Sequence, residues 1–360
     1  MAELLKSMYN EEFLFQFGNK VKGTYNAFNL NGFMATVMSD NWDDLELKAR
    51  QPRISSSLGK YLPTKYEEAL EILFKIDEEC VGFPYMFFPD FVEVFGQNEE
   101  NWELSMKALQ RFTKRSSSEF AVRPFLIRNP KRMMEQMYEW SKHPDEHVRR
   151  LASEGCRPQL PWAPAIPFLK EDPSPILPIL EQLKTDPSLY VRKSVANNLN
   201  DISKTHPELV IQIAKDWYGE YEYTDWIVKH ACRTLLKKGD KQVLTIFGYA
   251  DDKSVQLRHF ILKNNRISIG GELEFSFEIY AEKETKVRIE YAVDFVKARG
   301  NRNRKIFKVS ETLLKEGETR TYSKNHSFKE LTTRKHYKGT HTIAIIINGT
   351  EKASLNFEVE

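Results

Sequence analysis

The segment HPDEHVRRLASEG at residues 143–155 recurs as DPSLYVRKSVANNL at 186–199 and, more weakly, as YTDWIVKHACRTLLKKG at 223–239. The shared valine falls at Val148, Val191 and Val228, offsets of 43 and 37 residues. Each unit opens on a polar turn, twice containing proline, and continues into an amphipathic helix pattern. A second helical stretch precedes each one: KRMMEQMYEWSK (131–142), ILPILEQLKT (176–185) and PELVIQIAKDWYG (207–219). SMKALQRFTK followed by SSSEFAVRPFLIRN reads as an earlier, partial unit. One helix pair cannot bury its own apolar stripe, so a period of about 40 residues predicts HEAT-like pairs stacked in a solenoid. The second helix of every pair would line its concave side.

After residue 265 the apolar period changes from helical to two. Leu273, Phe275, Phe277 and Ile279 alternate with polar residues, as do Val287, Ile289, Tyr291, Val293 and Phe295. Ile343, Ile345 and Ile347 then meet Asn348-Gly349, a hairpin-type turn, before Leu355, Phe357 and Val359. This predicts a small antiparallel sandwich of immunoglobulin-like type. The fold class is therefore α plus β multidomain. A helical domain is expected over 1–262, with 1–60 as an N-terminal cap region, and a β-sandwich over 266–360.

Composition narrows the classes of function. The 360 residues exceed one ordinary core. No apolar run of about 18 residues suits a membrane span, and the start MAELLKSMYNEEF lacks the order of a secretory signal. Cys80, Cys156 and Cys232 are far apart and match no metal-ligand spacing. A reducing cytoplasm, with no metal and no membrane partner, is the expectation. The net charge of +2 conceals a gradient: residues 1–100 hold 9 basic and 17 acidic side chains, 101–265 hold 26 and 20, and 266–360 hold 18 and 14. A basic body and tail can present a focused positive surface to a polyanion.

Glycine-rich phosphate loops, paired-histidine metal motifs and the Gly-x-Ser-x-Gly elbow are all missing. What remains is carboxylates and tryptophan inside the basic repeats. In VRRLASEGCRPQLPWAP (148–164), Arg149, Arg150 and Arg157 flank Glu154, and Trp162 follows a proline-rich bend. Gly155 and Pro158 stop the helix there. The next repeat places Arg192, Asn198 and Asp201 at the matching position, and Glu119 and Arg123 are expected on an earlier helix, SSEFAVRPF. Caps and inter-helix ion pairs are the plain alternative for any single one of these. As a set, acids amid a basic surface would weaken phosphate binding unless they serve something else. In the strand domain, Lys297, Arg299, Arg302, Arg304 and Lys305 surround Gly300, which suggests a phosphate-contacting loop.

VRRLASEGCRPQLPW, VRKSVANNLNDISKTHPELV and WIVKHACRTLLKKGD, with LELKAR at 45–50 and the segment from Leu62 through KYEEALEIL, resemble the AlkC branch of the bacterial DNA alkylation-repair glycosylases. The resemblance covers roughly residues 1–250; some members of that branch carry an added immunoglobulin-like domain. It implies cleavage of the N-glycosidic bond of cationic N3-methylated bases, chiefly 3-methyladenine and also 3-methylcytosine, in double-stranded DNA. It implies a monofunctional enzyme without a cofactor, and because no helix-hairpin-helix or catalytic-lysine signature is visible, a lyase step has no support. On this reading Asp201 and Glu154 form the main acidic pair, Glu119 is third, Trp162 stacks at the lesion, and Arg150 and Arg157 position the carboxylates. Arg149, Arg192, Lys193 and Arg233 are expected to contact phosphates, and the basic loop to clamp the opposite side of the duplex. A monomer associated with the bacterial nucleoid is expected. The alternative reading is a non-catalytic HEAT-repeat scaffold for DNA or protein.

Overall fold

The computed structural model describes residues 5–249, 253–330 and 335–360. The chain divides into two compact units, residues 1–205 with 219–231, and residues 206–218 with 232–360.

The first unit opens with α1 (Glu11–Thr24), α2 (Leu30–Val37), α3 (Leu47–Tyr61), α4 (Tyr66–Ile76), α5 (Phe87–Phe95) and α6 (Trp102–Phe112). Aromatic side chains fill this region: Phe17 meets Phe87 edge-on at 4.8 Å between ring centres, and Phe88 meets Phe112 at 5.3 Å. There follow α7 (Val122–Arg128), α8 (Pro130–Ser141), α9 (Glu146–Gly155), α10 (Pro167–Glu171), α11 (Leu177–Leu183) and α12 (Leu189–Ile202). The second unit contributes α13 (Pro207–Trp217), α15 (Arg233–Lys237) and α16 (Lys241–Ile246), while α14 (Glu222–Ala231) belongs to the first.

The repeat pattern becomes two layers. Helix α9 packs on α8 and on α12, α12 packs on α14, and α11 packs on α8. The recurring Val148, Val191 and Val228 are all buried between these layers, each removal from water stabilising the stack by about 1.5–3 kcal/mol. Start signals are local: the Asp145 carboxylate accepts from the His147 amide at 2.9 Å, and Pro130 stands in the first turn of α8. At its end α9 lies so close to α7 that a β-carbon on Gly155 would come within 2.6 Å of Val122 Cγ2. The third repeat departs from expectation, because its two helices part company: α14 packs on α12, whereas α13 packs on α16.

The strand domain holds two sheets. One is β1 (Val255–Leu262), β3 (Glu272–Ala281) and β6 (Thr319–Ser327), in the order β1-β3-β6. The other is β2 (Arg266–Ile267), β4 (Thr285–Val296), β5 (Arg302–Leu314), β7 (Gly339–Ile347) and β8 (Thr350–Val359), in the order β2-β8-β7-β4-β5. All pairings are antiparallel except β2 with β8. The alternating residues expected to face inward share one core: Leu273, Phe275, Phe277, Val287, Ile289, Val293, Ile343, Ile345 and Phe357 are all buried in it. Asn348 and Gly349 take φ of +47° and +77° at the β7–β8 turn, as a two-residue hairpin of right-handed twist requires.

The boundary at 266 needs correction, since β1 already pairs with β3 from Val255. Its alternation is broken by a shift of register between Arg258 and Ile261, with His259 at φ +49°. Val255 and Leu257 turn inward before this bulge, Phe260 and Leu262 after it.

Candidate active site

An alternating row of charges runs across the ends of the repeat helices. Arg150, in the middle of α9, donates to Glu119 Oε2 at 2.6 Å and to Ser117 Oγ at 3.1 Å, with Glu154 Oε1 at 3.6 Å. Arg157, just beyond α9, donates from Nη1 to Glu154 Oε1 at 2.6 Å and from Nε to Asp201 Oδ2 at 2.8 Å. Lys204 closes the row on Asp201 Oδ1 at 2.7 Å. Three carboxylates and three cations thus alternate from Glu119 to Lys204. The repeat explains the spacing, because Glu154 and Asp201 end consecutive second helices. Ser153 Oγ bonds Ser194 Oγ at 2.7 Å and the Asn198 amide donates to the Ser153 carbonyl at 2.8 Å, locking α9 to α12.

The carboxylates differ in access. Side-chain exposure falls from 15% at Glu119 to 6% at Glu154 and 2% at Asp201. Glu119 does not lie on a helix as expected; it sits in the turn before α7, where the Ser117 hydroxyl donates to its Oε2 at 2.8 Å. Burial works against the charge on Arg150 and Arg157, yet both guanidinium groups are held above their ordinary pKa. For Arg150, Glu119 and Glu154 outweigh burial; for Arg157, Glu154 and Asp201 do.

Trp162 is 61% exposed and takes φ +63°, a conformation uncommon for a bulky residue. Arg123 fixes its loop. The buried guanidinium donates to the carbonyls of Gly155 at 3.2 Å, Arg157 at 2.9 Å and Pro164 at 2.5 Å, tying the end of α9 to the segment that carries the indole. Burial pushes Arg123 down to about 10. Tyr190, Ser117 and Lys204 were not anticipated from the sequence. The Tyr190 ring covers Arg150 at 4.9 Å and is itself 39% exposed. Only the serine run before Glu119 and the Asp-x-x-Lys spacing at 201–204 hinted at two of these.

The expected phosphate contacts divide. Arg149 is committed within the fold: it grips Asp186 through Nε and Nη2 at 2.6 and 3.1 Å and the carbonyls of His143 and Pro144. Arg192 repeats this one unit later on the carbonyls of Asp186 and Pro187, both at 2.8 Å, and stacks on Tyr223 at 3.9 Å. Both arginines pin the turn five and six residues before them. Lys193 is exposed on α12, and Arg233 is half-buried at the start of α15. The basic loop is the β4–β5 hairpin, turning at Gly300 with φ +77°. Arg299 and Lys305 are exposed and Lys297 is half-buried. Arg302 bonds Thr342 Oγ1 and the Thr340 carbonyl, and Arg304 pairs with Asp294 and Glu351 across the sheet.

Residues 97–235 match the family described as DNA alkylation repair enzyme, and residues 256–360 match the C-terminal immunoglobulin-like domain described for protein YhaZ. These matches place the chain in a DNA alkylation-repair class of protein. The chain is 55% identical to the protein YhaZ of Bacillus subtilis (strain 168), with 100% of both chains covered. It is 36% identical to the Pseudomonas fluorescens alkylpurine DNA glycosylase AlkC, solved bound to DNA containing an abasic site analog. That likeness has a TM-score of 0.96 and covers 99% of this chain and 100% of that one. The chain belongs to the AlkC-type DNA alkylation-repair family, with the added immunoglobulin-like domain.

Proposed function

We propose that the protein is a monofunctional DNA glycosylase that hydrolyses the N-glycosidic bond of cationic N3-alkylated bases in duplex DNA. The substrate is 3-methyladenine foremost, with 3-methylcytosine as a second. The observation that carries this reading is the row of three arginine-clamped carboxylates, with an exposed tryptophan on the loop that Arg123 ties to the end of α9.

A base methylated at N3 already bears positive charge, so it departs without an acid to protonate it. Breaking the C1′–N bond returns the electron pair to the base and leaves oxocarbenium character on the sugar. A fixed carboxylate stabilises that charge, and water then adds at C1′ while its proton passes to a carboxylate or to solvent. Glu119, the most accessible of the three, is the carboxylate that faces the sugar in this reading. Glu154 lies next along the row, and Asp201 holds Arg157 in place. The Trp162 indole offers its face to the cationic base, an attraction of about 0.5–2 kcal/mol. Arg150 and Arg157 hold the acids aimed. Arg299, Arg302, Arg304 and the lysines of the hairpin supply phosphate contacts.

Incubating methylated duplex DNA with the protein and measuring released 3-methyladenine tests the proposal. Absence of release by the wild type defeats it. Full release by an Asp201→Asn, Glu154→Gln double variant defeats the assignment of these two residues.

A further inference from the structure

Beside the charged row is a cavity of about 240 Å³, of whose walls the chemistry above uses only the Trp162 indole. Its walls include Lys48 from α3, Asp90 and Glu93 from α5, Phe120, Ile127 and Trp162. It shares with the site the exposed indole and Arg123, whose guanidinium holds the backbone of Gly155 and Arg157 on the other side. Its composition is unusual for a basic protein body: two carboxylates and two aromatic rings beside Lys48 and Arg123.

That lysine already behaves as a bound cation. Lys48 Nζ sits 3.3 Å from the centre of the Phe120 ring, and Asp90 and Glu93 oppose the loss of charge that burial favours. Asp90 Oδ2 is buried and makes no hydrogen bond; the neighbouring Ser55 hydroxyl is directed to the backbone carbonyls of Gln51 and Phe87. The cavity therefore offers an unused acceptor and flat apolar walls of a size suited to one heteroaromatic base.

We propose that this cavity is a binding site for a free N-methylated heteroaromatic base, the class of product released by the reaction proposed above, on which this inference rests. The base would lie between Trp162 and Phe120, with its amino N–H groups donating to Asp90 and Glu93 and its methyl group against the apolar wall at Val94 and Ile127. Lys48 occupies the Phe120 face while the cavity is empty and yields it when the base enters. Burial first, and then Asp90, raises Glu93 to about 7, so its acceptor strength grows as pH rises through neutrality.

Equilibrium dialysis of the full-length protein against 3-methyladenine, with adenine as control, reads this site without DNA. The wild type is expected to retain 3-methyladenine in preference to adenine. Glu93→Gln should weaken retention about tenfold, as should Ile127→Lys, which adds a cation at an exposed rim position and leaves the core intact. Lys48→Met, by removing the resident cation, should strengthen it. Absence of retention by wild type, or affinities unchanged across these variants, overturns the inference. Excision of 3-methyladenine from methylated duplex, scored separately, tells the two readings apart. Excision without retention removes the cavity's role and leaves the enzyme, whereas retention without excision removes the enzyme and leaves the binding site.

Discussion

Arg157 and Asp201, 44 residues apart in the chain, are joined by a 2.8 Å bond from Nε to Oδ2, while the same guanidinium holds Glu154 at 2.6 Å. All three side chains are buried. Arg157→Ala would leave two carboxylates with part of their compensation gone, a loss of about 3–5 kcal/mol in a buried pair. Chemical denaturation should show that drop in the helical unit. Arg157→Lys should recover part of the stability but little excision, because an ammonium cannot reach both carboxylates in one plane. Equal recovery of both properties by the lysine variant would mean that the fork geometry is unimportant.

Under the function proposed above, the gradient of access across the row should separate chemistry from scaffold. Glu119→Gln alters the most exposed carboxylate and leaves Arg150 its second partner, Glu154. Single-turnover release of 3-methyladenine should fall by about 10²–10³ with little change in thermal stability. Asp201→Asn should lower both, since it removes the charge that Lys204 pairs with and one of Arg157's two carboxylate partners at a site only 2% exposed. If the two variants proved indistinguishable in melting temperature, the division of roles would be wrong.

Much of this arrangement was legible in the chain, for reasons that particular residues make clear. The Val148–Val191 offset exposed the stacked pairs because packing imposes the same apolar residue on each repeat. Leu273 to Ile279 and Ile343 to Ile347 announced the sandwich, since a strand with one buried face must alternate. Strand β1 stayed hidden because the bulge at His259 switches the parity of its inward residues. The fate of Arg149 and Arg192 was hidden too. Their partners are backbone carbonyls of the preceding turn, and composition carries no trace of a carbonyl's direction. The cavity beside Trp162 draws on residues from Lys48 to Pro164, which only the packing of α3, α5 and α7 with the loop after α9 brings together.

His341 is fully buried in the sandwich, stacked on Phe357 and edge-on to Phe328 and Phe295. Its Nε2 meets the Tyr337 carbonyl at 2.9 Å. Burial, the largest influence, lowers its pKa below 6.5, opposed by the Tyr337 bond; Arg302 lowers it further and Glu358 opposes. The folded state thus favours the neutral ring, while the unfolded chain takes up a proton near pH 6.5. Stability from this residue is complete above that pH and declines as pH falls through 6.5 toward the lower folded value. Unfolding of the strand domain followed from pH 8 to 5 should show this decline, and His341→Phe should flatten it. An identical pH profile in the variant would assign the decline to other groups.

Gly349 sits at φ +77°, and a β-carbon there would come within 2.7 Å of Leu244 Cδ1 and 2.9 Å of Gly239 Cα. Gly349→Ala therefore meets both backbone strain and collision, and should destabilise the second unit by more than the roughly 1 kcal/mol of an unfavourable φ alone. Gly300 has the same φ but nothing within 4 Å of the added carbon, so Gly300→Ala should cost only the conformational part. Thermal melts of the two variants side by side measure the difference, and equal losses would show that the Gly239–Gly349 approach relaxes freely.

The arginines of the repeat and those of the hairpin should differ in how salt affects DNA binding. Arg149 spends its guanidinium on Asp186 and two carbonyls, so Arg149→Ala should lower stability but leave the slope of log affinity against log salt nearly unchanged. Arg299, exposed at the β4–β5 tip, can meet a phosphate directly, whereas Arg302 and Arg304 must first loosen from Thr342 and from Asp294 and Glu351. Replacing Arg299, Arg302 and Arg304 together by Ala should weaken binding and reduce the slope by about 0.9 for every phosphate that is no longer neutralised. Arg299→Ala alone should account for the largest share. Titrating a duplex with each variant at several salt concentrations resolves the two classes. A slope that drops for Arg149→Ala and holds for the hairpin variant would reverse the assignment of which arginines face DNA.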